Sequence, residues 1–278
     1  MYDLHGKVAV VTGAGGEHGF GRSIAVRLAR EGADVVVNDV ASNPYPDRPS
    51  KWSGLRDVVR EIEAMGRQSV GIVADVSDST QVEDMVSQAL KRFGQIDILV
   101  SNAASRHGRD VVPVVELDEE VWDEAMRVNV KGTFLCSRAV ARSMIRRGQG
   151  GKIIVMSSMV GKRGQARRAA YCASKFALVG FTQCLALELA PYRINVNALC
   201  PGMADTERID FMAAALAPTG ETAAEHRAKI VHDRTRGVPL GRLAESADIA
   251  RVAAFLASSE SDYLTGLSVS VSGGALMD

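Results

Sequence analysis

The chain has 278 residues, 46% of them hydrophobic, with 33 basic and 33 acidic side chains and a formal charge of zero. That length and apolar content suit one large α/β domain with a buried core. The even charge balance gives none of the basic field that a nucleic-acid or membrane-surface partner requires.

Short β-rich runs alternate with helical patterns almost to the end. Residues 7–11 form the first strand run, apolar without alternation, as in a strand buried on both faces of a parallel sheet. It ends in Thr12-Gly13-Ala14-Gly15-Gly16-Glu17-His18-Gly19-Phe20-Gly21, and a helix is predicted over 22–31. Glycines between strand and helix permit a tight turn and close backbone approach to a pyrophosphate, which the helix N-terminus then faces. The second strand, 34–38, is followed by Asp39. A carboxylate there accepts hydrogen bonds from ribose hydroxyls and repels a 2′-phosphate, so NAD is expected rather than NADP. His18 and Arg22, near the phosphates, pull modestly the other way, and a plain turn-capping role for Asp39 is the alternative.

Residues 41–53 hold three of the eight prolines and read as an extended loop. Helix 55–65, strand 69–74, helix 80–93, strand 96–101, helix 119–147 and strand 152–157 follow, then helix 170–189 and strand 195–199. The segment 203–238 reads as two short helices, 206–216 and 221–234, interrupted at Pro218-Thr219-Gly220. Its place near strand ends suits a substrate lid, with a passive surface insertion as the alternative. Strand 267–271 closes the series. The alternation implies a Rossmann-type doubly wound parallel sheet of about seven strands in a single domain, 1–278.

Cys136, Cys172, Cys184 and Cys200 form no Cys-x-x-Cys pair and accompany no His cluster, so neither a metal site nor a disulfide framework is expected. No signal segment opens the chain, and no apolar run approaches the roughly 18 residues that cross a bilayer. A soluble, cytoplasmic protein is the expectation.

Tyr171 and Lys175 sit four apart within the helix 170–189, and so share one face. A lysine ammonium beside a phenol favours phenolate and draws its pKa down from about 10. Such a phenol exchanges a proton with an alcohol or carbonyl near neutral pH. Alone, the spacing is equally that of two surface neighbours.

The Gly loop, Asp39, Asp75-Val76, Ser101-Asn102-Ala103-Ala104, Asn129, Ser158 and Tyr171/Lys175 stand in one order along the chain. In this the chain resembles the short-chain dehydrogenase/reductase family, in its single-domain branch with a Thr-Gly-x-x-x-Gly-x-Gly loop. The resemblance implies Tyr171 as general acid/base, Lys175 lowering its pKa and holding the nicotinamide ribose, and Ser158 hydrogen-bonding the substrate oxygen. It implies Asn129 anchoring a water in a proton relay to Lys175, and Asp75 with Val76 at the adenine. Gly13, Gly19, Phe20, Gly21 and Asn102 would contact the cofactor, and Pro201, Gly202 and Thr206 would fold over the nicotinamide. The Gly loop departs from the pattern, with five residues between Gly13 and Gly19 instead of three, so Gly15 or Gly16 is expected to form an enlarged turn. Ala204 also replaces the common branched residue after Pro201-Gly202.

Between Ser158 and Tyr171 lie Lys162, Arg163, Arg167 and Arg168, and Arg106 and Arg109 follow Asn102. Arg163 or Arg168 is a candidate for an anionic substrate group, against a solvated basic surface or subunit contact. Gln165 and Met203 are candidate pocket residues by position. The resulting expectation is an NAD-dependent oxidoreductase acting on a secondary alcohol or ketone. The alternatives are an NADPH-dependent 3-oxoacyl-thioester reductase and a catalytically silent cofactor-binding scaffold. The resemblance further implies a homo-oligomer, commonly a tetramer, with helices 119–147 and 170–189 at an interface.

Overall fold

The structure, a computed structural model, describes residues 2–46, 51–105 and 108–277. Seven parallel strands form one sheet in the order β3-β2-β1-β4-β5-β6-β7. They are β1 (Val8–Thr12), β2 (Asp34–Asp39), β3 (Ser69–Val73), β4 (Ile98–Ser101), β5 (Gly151–Met156), β6 (Ile194–Pro201) and β7 (Ser268–Val271). Each expected strand is present. Neighbours are parallel, with Val10 of β1 opposite both Val36 of β2 and Leu99 of β4. Parallel strands need crossovers, and helices supply them on both faces.

Successive side chains of a strand point to opposite faces, so one apolar run feeds two cores. Ala9, Val11, Val35, Val37, Ile98 and Val100 face one side. There they meet α1 (Phe20–Arg30), α2 (Leu55–Glu63) and α9 (Ser246–Ala257) through Ile24, Leu28, Val58, Ile62 and Ile249. Val10, Val36, Leu99, Ile153 and Val155 face the other side. There they meet α3 (Ser79–Phe93), α5 (Gly132–Arg147) and α6 (Ala169–Leu189) through Met85, Leu135, Val140, Met144 and Leu178.

Three differences from the sequence reading have local causes. Helix α1 begins at Phe20, two residues early, because Gly19 supplies the extended N-cap and Gly21 packs inside the first turn. A Cβ on Gly21 would collide with the Gly13 carbonyl. The expected helix 119–147 is α4 (Glu119–Ala125), a π-helical turn Met126–Lys131 and then α5. The wide turn carries Asn129, fully buried, toward α6. Contrary to expectation, one helical stretch, Ala169–Tyr192, is long and apolar enough to cross a membrane by length and composition, with a mean hydropathy of 1.3. It is a core helix here: α6 packs on β6 and buries Ser174, Lys175 and Thr182 along with Leu178 and Ala186.

The segment after β6 contains α7 (Glu207–Leu216) and α8 (Ala223–Thr235), close to the two helices read from the sequence. Thr222 begins α8 with a capping box to Glu225, which explains the break at Pro218-Thr219-Gly220.

Candidate active site

Strand order reverses between β1 and β4, which opens a crevice at the carboxyl ends of the strands. A cleft of about 700 Å³ lies there. Gly13, Gly19, Phe20, Asp39, Asp75, Val76, Asn102, Ser158, Tyr171, Lys175, Pro201, Gly202 and Thr206 all line it, as do Arg163, Gln165, Arg168 and Met203. Gly21 and Asn129 stand behind its wall, packed against the Gly13 turn and Ser174 respectively.

At the phosphate end, Asn102 holds the first turn in place. Its Nδ2 donates to the carbonyls of Thr12 and Gly13 at 2.8 and 3.0 Å. Gly13 has φ 64°, and a Cβ there would lie 2.8 Å from Ala103 Cα, so only glycine lets β1 and β4 meet this closely. Within the enlarged turn, Gly15 is tied to the end of β2 and to the proline-rich loop. Gly15 N–H donates to Asp39 Oδ2 at 2.9 Å, and Trp52 Nε1 donates to the Gly15 carbonyl at 2.7 Å. Residues 47–50 of that loop lie outside the described residues. Arg22 is turned away from the cleft: it forks onto Glu61 at 3.0 and 2.6 Å and lies over Trp52. His18 is 62% exposed beside Glu17, also outside the cleft lining.

A carboxylate already sits on the glycine turn. Glu207, at the start of α7 and buried, accepts the His18 N–H at 2.5 Å and lies against Gly16 and Gly19. The turn thus already offers a backbone N–H to a carboxylate, and the N-terminus of α1 beside it has no side-chain cap, a setting that suits an anion such as a pyrophosphate. With Asp39 at the end of β2 and Asp75 after β3, the residues fit a nicotinamide dinucleotide. Asp75 itself is braced by Ser77 and Arg127; burial opposes its charge, but these bonds hold its carboxyl below the usual range.

At the other end, α6 presents Tyr171, 5% exposed, and Lys175, 2% exposed, one turn apart. Ser158, in the extended backbone after β5, hydrogen-bonds the Tyr171 phenol. Burial alone would raise the phenol pKa. Arg208, Lys175, Arg168 and the Ser158 hydroxyl together outweigh it and bring it below 10. Burial pushes Lys175 down to about 8, against the restoring pull of Tyr171. Its ammonium donates to the Met156 carbonyl at 2.7 Å. Asn129 does not touch Lys175 directly. Its Oδ1 accepts from Ser105 N–H at 2.8 Å and its Nδ2 donates to Ser174 Oγ at 2.9 Å, so it ties the β4 loop to the residue before Lys175. Ser157 Oγ donates to the Lys175 carbonyl at 2.9 Å, which locks the same turn from the β5 side.

Of the candidate cations, Arg163 and Arg168 reach the cleft. Lys162 instead bonds Ser268 and Ser270 on β7, Arg109 lies exposed beside Asp118, and Arg167 is exposed outside the lining. Arg106 lies outside the described residues. Sequence reasoning missed Arg208, which donates to Tyr171 Oη at 2.8 Å, and Arg234, which lines the same end. No spacing rule links Arg208 to Tyr171; only the fold-back of α7 over the strand ends joins them. Glu207 was missed for the same reason.

The family's model, described as short chain dehydrogenase, matches residues 7–215, and the chain belongs to that family. Sorbitol dehydrogenase of Cereibacter sphaeroides is 38% identical, the match covering 99% of each protein. The 2-dehydro-3-deoxy-D-gluconate 5-dehydrogenase of Dickeya dadantii is 36% identical over 99% of this chain and 97% of that protein. Among solved structures, carveol dehydrogenase from Mycobacterium avium in complex with NAD superposes with a TM-score of 0.89 at 28% identity, over the whole of both chains.

Proposed function

We propose that the protein interconverts a secondary alcohol and its ketone with NAD(H), using Tyr171 as general acid/base. The observation that carries this is the Tyr171 phenol, buried at the cleft floor and hydrogen-bonded by Ser158 and Arg208, with Lys175 one turn away. When bound, the nicotinamide supplies the carbon that accepts or gives the hydride. In the oxidation direction the Tyr171 oxygen takes the hydroxyl proton, and in reduction it returns it. Ser158 holds the reacting oxygen and stabilises charge that develops there. The Lys175 charge favours phenolate, and Asn129, through Ser174, positions the turn that carries it toward a solvent relay. Asp39 and Asp75 take the ribose and adenine, while Pro201, Gly202 and Thr206 close over the nicotinamide. The two helices between 203 and 238 serve as the substrate lid.

Asp39 supports NAD over NADP, and Arg22, engaged with Glu61, offers no 2′-phosphate partner in its present pairing. The same carboxylate weighs against an NADPH-dependent 3-oxoacyl-thioester reductase, and the intact Ser158, Tyr171 and Lys175 weigh against a silent scaffold. The half-exposed rings of Phe134 on α5 and Phe176 on α6 favour a homo-oligomer through that face, a tetramer by family resemblance. The free cysteines suit a reducing, cytoplasmic compartment. Dinucleotide reduction by the purified protein with a panel of secondary alcohols tests the reading: turnover with NAD, abolished in Tyr171→Phe, supports it, and equal turnover in that variant overturns it.

A further inference from the structure

Three cationic side chains surround the Tyr171 ring. Arg208 places its guanidinium 5.0 Å from the ring centroid, Arg168 at 5.6 Å and Lys175 at 5.6 Å. Arg208 uses Nη1 on the phenol and reaches the Ser105 carbonyl with Nη2 at only 3.5 Å. Among the described residues no carboxylate forms an ion pair with it. Arg168 is 7% exposed, and its Nη2 meets the Met212 thioether at 3.1 Å, a weak acceptor for a charged donor. Asp110 acts on Arg168 from a distance, and Asp233 lines the same region. Glu207, adjacent to Arg208 in sequence, is turned away onto the glycine loop. A guanidinium carries five donors, so both arginines retain capacity for an oxyanion.

We propose that Arg208 and Arg168 form a clamp for an anionic group of the substrate, which makes the natural substrate a hydroxy-carboxylate or its oxo acid. The proposal rests on the redox reading of the same cleft and adds the substrate class to it. Geometry limits where the carboxylate lies. Arg208 and the reacting hydroxyl are both one hydrogen bond from Tyr171 Oη, so they stand roughly 4–6 Å apart. A carboxylate that meets Arg208 is therefore borne one to three carbons from the carbinol. Arg168 is buried and Arg208 half-buried, so solvent screens a pairing with Arg168 less than it would at the surface. The clamp also gives a role to the approach of Arg208, at the start of α7, to Arg168, at the start of α6: an anion between them is complementary to both.

The test uses two matched pairs, gluconate with sorbitol and galactonate with galactitol. Calorimetric titration of each into the protein, alone and with NADH, reads binding independently of turnover. The acid of each pair binds about tenfold or more tighter than its polyol, as a charge-assisted pair predicts. Arg208→Met collapses that ratio, and Arg208→Lys, which keeps the charge but not the fork, preserves part of it. Arg168→Met collapses it as well where the protein stays folded. Acids that bind no tighter than polyols, or a ratio unchanged in Arg208→Met, overturn the clamp. Selective acid binding without reduction of NAD or NADP by any member would leave the clamp standing and count against the redox reading instead.

Discussion

Tyr171 shows how far a single residue's chemistry is set by neighbours. Its i+4 partner Lys175 is legible in the sequence, because helix periodicity is local. Arg208 arrives from 37 residues away and leaves no local mark. Tyr171→Phe should lower kcat by about 10²- to 10⁴-fold, the span of a lost general acid/base, with dinucleotide affinity within a few-fold of wild type by calorimetry. The pH dependence has a definite sign. In the proposed mechanism phenolate is the base for oxidation, and its pKa lies below 10, so kcat/KM for oxidation should rise with pH and level off before ordinary tyrosine ionisation. Reduction falls over the same range. Lys175 titrates near 8 beside it, so the observed limb belongs to the pair. Arg208→Met removes the largest of the charges that lower the phenol, and should move the limb to higher pH; a stationary limb would refute that assignment. At the far end of the cleft, Asp39→Asn should cut the preference for NAD over NADP by roughly tenfold or more, the worth of a charge-assisted hydrogen bond.

At the scale of elements, most of what the sequence hid lies in how one segment seats another. The π-helical turn Met126–Lys131 interrupts a helix that reads as continuous, since apolar periodicity does not register one widened turn. Asn129→Ala strips buried partners from Ser105 N–H and Ser174, and should destabilise the fold by about 1–3 kcal/mol in denaturant unfolding, with a fall in kcat beyond what stability explains. The glycine turn between β1 and α1 was legible as a turn but not in its detail. Gly15 within it leans on Trp52 and Asp39, contacts that join distant parts of the chain. Helix α7 closes over that turn with Glu207 on the His18 N–H, so on the proposed cofactor placement a dinucleotide phosphate would compete with this carboxylate. Glu207→Gln should tighten NADH binding by about threefold to tenfold, the scale of one relieved like-charge contact of about 1 kcal/mol. Unchanged or weaker binding would mean that the carboxylate steadies the lid rather than opposing the phosphate.

For the whole molecule, the order β3-β2-β1-β4-β5-β6-β7 gathers residues from Gly13 to Ala275 around one cleft. The strand–helix alternation carried that architecture because the central strands β1, β4 and β5 are apolar runs buried on both faces and the helices α1, α2 and α3 are amphipathic. The cleft's cations were only partly legible: a basic run after Ser158 contains two residues that reach the cleft and two that do not. Their separation depends on how that loop leaves β5, which no residue pattern encodes. The reaction assigned to the cleft is tested most directly by steady-state reduction of NAD and of NADP, in parallel, against hydroxy acids and their neutral polyols, with wild type and Tyr171→Phe. The account predicts turnover with NAD over NADP, lost in the variant. Preference for NADP, or a Tyr171→Phe rate equal to wild type, would contradict it.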